Sequence, residues 1–401
     1  MKQGWQIKAF SEISHSIDDG DWIEKKDQSE TGIRLIQTGN IGVGQYRDKA
    51  EKAKFISEDT FKRLKCTEIV CGDILVSRLP DPVGRACILP SLPYKCITAV
   101  DCSIIKLKDN VIHPSWFVFY TQSQEYFAKV RKECSGTTRD RISRKKLEVI
   151  TIPVPPLSEQ QRIVSLLDAE FAKIDALKVN AEKNLQNAKD LFQAALKKEL
   201  EPKDGWKKDL LSKVAYISRG RSQHRPRNEA ILYGGDYPFI QTGDIRDANG
   251  RTITTFNQTY SEIGLQQSKL WKKGTICITI AANIGETAIL GMDACFPDSV
   301  VGIIPNNQIV CTDFLNYCLI KEKDELNEIA HGTAQKNINV AILEKVLITY
   351  PIDITTQQSI VARLDVLNEK CKTLQANYEK TLSLCDDLKQ ALLRKAFNGE
   401  I

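Results

Sequence analysis

Two long stretches of the chain carry apolar residues at alternating steps of four and three, the spacing of a coiled-coil seam. They cover residues 158–200 and 355–401, and glycine and proline are absent from 158–199 and 355–397. Ser158 and Thr355 each stand three residues before a glutamine, Gln161 and Gln358, which predicts an N-cap and capping box for each helix. The predicted seam residues are Ile163, Leu167, Ile174 and Leu177 in the first helix and Ile360, Leu364, Leu367, Leu374 and Leu388 in the second.

Both seams run in the same register, so we expect the two helices to pair antiparallel as a spacer. At 1.5 Å per residue, such helices form a rod of roughly 60 Å. The alternative is a pair of independent amphipathic helices, each lying on its own domain.

The two remaining blocks, residues 1–157 and 201–354, have a different pattern. Short apolar, β-rich runs alternate with Gly and Pro turns, as in Asp73–Ser77, Ala86–Leu89 and Ser103–Leu107. The stretch His113–Val130 favours a helix, with Pro114 in its first turn. We therefore predict an α+β protein of two similar, β-rich mixed α/β domains, joined by two long antiparallel coiled-coil helices.

The second half of the chain repeats the first. Ile36–Ile41 (IQTGNI) returns about 200 residues later as Ile240–Ile245 (IQTGDI), and Gln160-Gln161 returns as Gln357-Gln358. Solenoid repeats are about 20–50 residues long, so this repeat indicates a duplicated domain with pseudo-two-fold symmetry. Two similar but non-identical domains suit a partner that also has two halves.

Composition narrows the class of protein. The net charge is +5, so any basic surface must be local, and the longest apolar runs are too short to span a bilayer. The 12 cysteines and 4 histidines are scattered, without the spacing of a zinc site. We expect a cytoplasmic protein with reduced cysteines and no metal.

Catalytic motifs are missing. The sequence has no phosphate-binding Gly-x-x-x-x-Gly-Lys loop and no Asp/Asn-Pro-Pro-aromatic tetrad of an amino-methyltransferase. Pro80-Asp81 and Pro297-Asp298 lack the following acidic-x-Lys of a metal nuclease and are interpreted as turns. The chain is therefore expected to be non-catalytic.

Basic and polar clusters are the candidates for DNA contact, because arginine side chains can bind guanine edges and small hydroxyl residues let phosphates approach. For any one of them, a solvated loop is the alternative. The first domain offers Arg78, Thr137, Thr138, Arg139, Arg141, Arg144 and Lys145. The second offers Arg219, Arg221, Gln223, His224, Arg225, Arg227, Asn283, Thr333, Gln335 and Lys336.

The whole chain resembles the specificity subunit of type I restriction–modification systems. The resemblance rests on the duplication, on Pro155–Val164 (PPLSEQQRIV) with its echo Thr356–Val361 (TQQSIV), and on the terminal run Leu393–Glu400 (LRKAFNGE). It implies two target-recognition domains, at 1–157 and 201–354, each contacting one half of a bipartite double-stranded DNA target in the major groove.

The resemblance also implies partners. Two methylation subunits would use S-adenosylmethionine, and motor-nuclease (restriction) subunits would use ATP and Mg²⁺, so no cofactor is expected in this chain. Two other interpretations stay open: a specificity subunit of a type IIB-like system, and a two-domain scaffold that binds proteins instead of DNA.

Overall fold

The computed structural model describes residues 2–136, 139–281, 283–331 and 337–401. They form two compact units, the first of residues 1–182 and 379–401 and the second of residues 183–378. The boundaries drawn from the sequence fall where the long helices begin, whereas each compact unit includes parts of both long helices. The reason is that both helices contribute side chains to the core of each unit.

The strands and helices of the first unit alternate irregularly along the chain. Its strands are β1 Gln6–Ala9, β2 Ser14–Asp19, β3 Ile33–Ile36, β4 Phe55–Ile56, β5 Ile74–Ser77, β6 Ala86–Ile88, β7 Cys96–Thr98, β8 Cys102–Leu107 and β9 Thr151–Val154. Its helices are α1 Phe10–Ile13, α2 Glu58–Leu64, α3 Pro114–Tyr120, α4 Gln124–Glu133, α5 Arg144–Glu148 and the start of the long helix α6 Leu157–Glu199.

The second unit repeats this plan. Its strands are β10 Trp206–Leu210, β11 Ala215–Arg219, β12 Tyr233–Phe239, β13 Thr252–Ile253, β14 Gln258–Tyr260, β15 Ile276–Thr279, β16 Thr287–Leu290, β17 Val300–Pro305 and β18 Leu347–Pro351. Its helices are α7 Leu211–Val214, α8 Thr242–Ala248, α9 Glu262–Gln266, α10 Thr312–Lys321, α11 Lys323–His331, α12 Val340–Glu344 and the start of the long helix α13 Ile354–Asn398.

The sheets of the two units correspond. In the first unit the strand order is β2-β8-β5-β6, beside a three-stranded sheet β4-β3-β7 and the pair β1-β9. In the second unit the order β11-β17-β15-β16-β13 is accompanied by the pairs β12-β14 and β10-β18. The α+β prediction of two mixed domains with long helices is confirmed, as are the predicted strands β5, β6 and β8.

The long helices belong to the cores. In the first unit Ile163 and Leu167 of α6 and Phe397 of α13 pack with Trp116 and Phe10. In the second unit Leu196 of α6 and Ile360 and Leu364 of α13 pack in one cluster with Phe314. Both long helices thus pack on the core of each unit, and the alternative of two independent helices, each on its own domain, is wrong.

Ion pairs show the antiparallel course of α6 and α13 within each unit. In the first unit Asp175 binds Lys389 at 2.5 Å and Lys178 binds Asp386 at 2.8 Å. In the second unit Glu199 binds Arg363 at 2.6 Å. Residue numbers therefore increase along α6 in the direction in which they decrease along α13.

The seam departs from its prediction at three of the nine predicted positions. Ile163, Leu167, Ile174, Ile360 and Leu364 are buried and Leu367 is half-buried. Leu177, Leu374 and Leu388 are exposed, so placing them in the seam was wrong. The residues that follow Leu177 and Leu388 are Lys178 and Lys389, which lie along the helix pair and extend their charged ends to Asp386 and Asp175. A pattern search that chooses leucine over lysine misses this arrangement.

Three helix boundaries also differ from expectation. Helix α6 starts at Leu157 and α13 at Ile354, so Ser158 and Thr355 lie inside the helices and the predicted N-caps are wrong. The Asp353 carboxylate accepts hydrogen bonds from the hydroxyls of Thr355 and Thr356 and from their backbone N–H groups, which lowers the pKa of its carboxyl to about 2. The predicted helix His113–Val130 is two helices, because Ser123 caps α4 by accepting a bond from the Tyr126 N–H.

Candidate nucleic-acid interface

In the first unit, several predicted DNA-contacting residues meet where β2 ends and β8 begins. Arg141 binds the carboxylate of Asp101 at 2.9 Å, and Arg144 donates to the carbonyl of Ile17 at 3.0 Å. Two backbone hydrogen bonds of 3.0 Å between Ser135 and Arg141 close the segment that carries them. Arg139, Arg141 and Lys145 are exposed and Arg144 is half-buried, so this surface can reach a duplex. Thr137 and Thr138 lie outside the described residues.

Arg78 has a different role from the one predicted. Its side chain is 5 % exposed, and burial lowers the pKa of its guanidinium. It binds Asp19 at 3.1 Å and donates to the carbonyl of Val100, while its own carbonyl accepts from the Ile142 N–H. A buried guanidinium cannot touch DNA directly, so the prediction of Arg78 as a DNA contact is corrected to a structural role. The sequence did not show that Asp19 would approach it.

In the second unit the corresponding polar end lies where β11 ends and β17 begins. Arg227 binds the carboxylate of Asp298 at 2.8 Å, and Arg219 donates to the Asp298 carbonyl. Arg227 belongs to the loop that follows β11, residues 220–229, which also contains the remaining predicted residues of this cluster: Arg221, Gln223, His224 and Arg225.

The backbone of this second-unit loop is hydrogen-bonded to the side chain of Gln267. The Gln267 side-chain carbonyl accepts from the backbone N–H groups of Gln223 and His224, at 2.7 and 3.0 Å. Arg221 donates to the Gln223 side chain at 2.6 Å, and the His224 ring contacts Glu229. The backbone is thus fixed while most of the polar side chains stay at the surface, as a recognition loop requires.

Asn283 lies at the same end of the second-unit sheet. It is exposed, it follows β15, and its carbonyl accepts a hydrogen bond from the Thr279 hydroxyl. Thr279 pairs with Val300 at the start of β17, two residues after Asp298. Thr333, Gln335 and Lys336 fall outside the described residues.

The two loops that follow β2 and β11 occupy equivalent positions. The Gly20 N–H donates to the Cys102 carbonyl at 2.9 Å, and the Gly220 N–H donates to the Val300 carbonyl at 2.8 Å. A Cβ atom at Gly20 would lie 2.2 Å from the Ala99 carbonyl oxygen, and one at Gly220 would lie 2.3 Å from the Pro297 carbonyl oxygen. Glycine is therefore required at both positions. Sequence reasoning selected only the second loop, because the first contains no arginine.

The repeated Gln-Thr-Gly segments are each held by the side chain three residues after the glutamine. Asn40 accepts from the Gln37 N–H at 2.9 Å, and Asp244 accepts from the Gln241 N–H at 2.8 Å. Sequence reasoning missed the buried Arg85, which donates to the carbonyls of Ile41, Leu79, Pro82 and Thr38 at 2.7–2.9 Å. Its hydrogen bonds connect the Thr38–Ile41 segment to the loop that precedes β6.

The described ranges also bear on metal sites, membrane spans and disulfides. Among those residues, no group of three or more His, Cys, Asp or Glu side chains is placed to hold a metal ion. No helix within the same ranges is long and apolar enough to cross a bilayer. All 12 cysteines are free thiols, and burial raises the pKa of Cys87 and Cys102 to about 12.

Known proteins resemble this chain along its full length. A model of the family described as "Type I restriction modification DNA specificity domain" matches residues 2–187 and again residues 203–383. The StySPI specificity subunit of Salmonella potsdam is 22% identical over 430 residues, covering 100% of this chain and 90% of that protein. The EcoBI specificity subunit of Escherichia coli is 26% identical over 318 residues, covering 71% of this chain and 65% of that protein.

The fold has a solved counterpart. A structure from work on the complex assembly and conformational transition of the type I R-M system matches with a TM-score of 0.82 at 20% identity. It covers 100% of this chain and 99% of that chain. At this level of identity the likeness concerns the fold alone.

Proposed function

Because the chain belongs to the family of type I restriction–modification DNA specificity subunits, we propose that it binds a bipartite duplex through its two units. The units are the two target-recognition domains of a subunit that is not itself catalytic. Each unit contacts one half-site in the major groove, the first through the segment 139–145 and the second through the loop 220–229.

One observation carries this proposal. The same end of the main sheet in each unit carries polar and basic side chains on an equivalent backbone, yet the side chains differ. Asp101 binds Arg141 in the first unit, and Asp298 binds Arg227 in the second. The first-unit positions equivalent to Arg221 and Gln223 are Asp21 and Ile23, which have neither a basic nor an amide side chain. Equivalent scaffolds with different side chains suit two different half-site sequences.

The salt dependence of binding tests the proposal. The chain is assembled with its methylation subunits, and the affinity for a duplex that carries the mapped target is measured from low to moderate salt. Phosphate contacts release counterions, so the logarithm of the association constant should fall linearly and steeply with the logarithm of salt concentration. A protein-binding scaffold would show no affinity for the duplex even at low salt. A type IIB-like system would differ only in its partner enzymes.

Loss of one arginine should weaken one half-site only. We expect Arg141→Ala to cost about 1–3 kcal/mol on duplexes with the first half-site intact, and Arg221→Ala to cost a similar amount through the second. The same prediction applies to Arg139 and Arg225. Competition binding with each half-site scrambled in turn measures this, and Arg131→Ala, an exposed arginine on α4, is the matched control. Equal weakening on every duplex would make these residues phosphate contacts.

The partners follow from the same proposal. Two methylation subunits would supply S-adenosylmethionine chemistry, and motor-nuclease subunits would supply ATP- and Mg²⁺-dependent cleavage.

We assign the exposed leucines of the long helices to methylation-subunit docking. In the first unit Leu177 is 55% exposed and Leu388 is 49% exposed. In sequence, both lie between residues that form the ion pairs Asp175–Lys389 and Lys178–Asp386, so they belong to the same stretch of the helix pair. Action on cellular DNA places the complex in the cytoplasm.

Charging these two leucines should weaken assembly. We expect Leu177→Glu combined with Leu388→Glu to weaken association with the methylation subunits at least tenfold, because a carboxylate would have to be buried without a partner. Size-exclusion chromatography with light scattering measures the assembly, and circular dichroism checks the helices. Val179→Glu, at an equally exposed position of α6, is the control. Normal assembly of the double variant would contradict the docking assignment.

A further inference from the structure

The loop between β2 and β3 exposes a tryptophan. Trp22 is 70% exposed, more than any other large hydrophobic side chain in the described residues. Its indole N–H points to the Glu24 carboxylate at 3.4 Å. Trp5, Trp116 and Trp271 are buried and Trp206 is half-buried, so Trp22 differs in kind from the other tryptophans.

The backbone on either side of Trp22 is firmly anchored. The Asp21 N–H donates to the Thr98 carbonyl at 2.8 Å, and the Asp21 carboxylate accepts from the Thr67 N–H at 3.0 and 3.2 Å. Further along, the buried Asp27 binds Arg63 of α2 at 2.6 Å. An exposed indole on a fixed backbone loses little conformational entropy when a partner covers it, which is the arrangement of a binding anchor.

The surroundings of Trp22 contain both charges, and the cations outnumber the carboxylates Asp21, Glu24 and Asp27. Asp27 pairs with Arg63 and Glu24 pairs with Lys26 at 2.8 Å, which leaves three nearby lysines without these carboxylate partners. The contacts of Thr67 and Arg63 bring the end of α2 beside this loop, and with it exposed lysines. The exposed cations of the loop and of the end of α2 are Lys25, Lys26, Lys62, Arg63 and Lys65. An aromatic side chain among cations is a common feature of nucleic-acid surfaces.

The position of the loop selects DNA over a protein partner. It occupies in the first unit the place that the loop 220–229 occupies in the second, as the contacts of Gly20 and Gly220 establish. We propose that Trp22 is a base-contacting, specificity-determining residue of the first unit, and this inference rests on the proposed function. Its indole lies against base edges in the major groove, where the thymine methyl group is the apolar feature. The neighbouring lysines and Arg63 contact phosphates.

Binding to designed duplexes tests the contact. The full complex with methylation subunits is prepared with wild-type chain, Trp22→Ala, Trp22→Phe and, as control, Val149→Ala, another exposed apolar residue of this unit. We expect Trp22→Ala to lose about 10- to 100-fold affinity on the intact target, Trp22→Phe to lose less, and Val149→Ala to be unchanged. With the first half-site scrambled, wild-type and Trp22→Ala should bind alike.

Thymine-to-uracil substitution, which removes only the methyl group, gives a second measure. At one position of the first half-site it should weaken wild-type binding, and the same substitution should have no effect on Trp22→Ala. A loss that is equal on all duplexes, or no loss at all, would overturn the inference.

Fluorescence gives a readout independent of affinity. The difference in acrylamide quenching between wild-type and Trp22→Phe complexes isolates the signal of Trp22. We expect a duplex with the first half-site to shield this indole, and a duplex with only the second half-site to leave it open. Shielding by the methylation subunits without DNA would overturn the assignment. If the wild-type complex binds its target normally while Trp22 stays accessible to acrylamide, only this inference fails. A wild-type complex without affinity for DNA would refute the proposed function.

Discussion

A complex whose α6 and α13 are each lengthened by one heptad should prefer a target with a longer gap between its half-sites. Duplicating residues 176–182 and 379–385 inserts seven residues into each helix where the two compact units divide. Seven residues at 1.5 Å add roughly 10 Å, and B-DNA rises about 3.4 Å per base pair. The preferred gap should therefore grow by about three base pairs, while both half-site sequences stay unchanged. Binding selection from a duplex library with a randomised gap measures this result.

The control for this experiment is an insertion in one helix only. With seven residues added to α6 alone, α6 and α13 cannot form the ion pairs Asp175–Lys389 and Glu199–Arg363 at the same time without a distortion of one helix. The helix pair should therefore be destabilised. The paired insertion keeps every partner in place. Three added base pairs also rotate one half-site by about a third of a helical turn, which should lower affinity without changing the preferred gap. A folded paired insertion that keeps the original gap would show that the helices do not set the spacing.

Replacing either of two buried glutamines should strongly destabilise its unit. Gln160 accepts from the His113 N–H at 2.7 Å and donates to the carbonyls of Val111 and Pro155 at 3.0 and 2.8 Å. In the second unit, Gln357 repeats this pattern with Cys311, Ile309 and Pro351. We expect Gln160→Leu or Gln357→Leu to lower the free energy of unfolding by about 2–4 kcal/mol, because buried backbone groups lose their partners.

The neighbouring glutamine provides the control for this substitution. Gln161 is exposed one residue further along α6, so Gln161→Leu should change the unfolding free energy by less than about 0.5 kcal/mol. Urea unfolding followed by circular dichroism compares the three variants. Equal stability of Gln160→Leu and Gln161→Leu would contradict the structural role of the buried amide. The pair Gln160-Gln161 is visible in the sequence repeat, but only the structure distinguishes which glutamine is buried.

The sequence by itself determined the architecture. Apolar periodicity and the positions of Gly and Pro are local properties of the chain, so they predicted β5, β6, β8 and the two long helices. The repeated Gln-Thr-Gly segments can be read directly from the sequence, and they predicted the duplication. The missing catalytic motifs are equally a property of the sequence. The predicted N-caps Ser158 and Thr355 were two residues too late, since Pro156 and Asp353 precede the helices and provide the first acceptors.

Only the tertiary structure decided which side chains are accessible. Arg78 is buried because Asp19 and Val100, distant in sequence, approach its guanidinium, whereas Trp22 remains exposed although its backbone is fixed by Thr98 and Thr67. Leu177 and Leu388 lie outside the seam because the long stems of Lys178 and Lys389 occupy it. Burial depends on contacts between residues far apart in the chain, and a local pattern of polar and apolar positions does not contain that information.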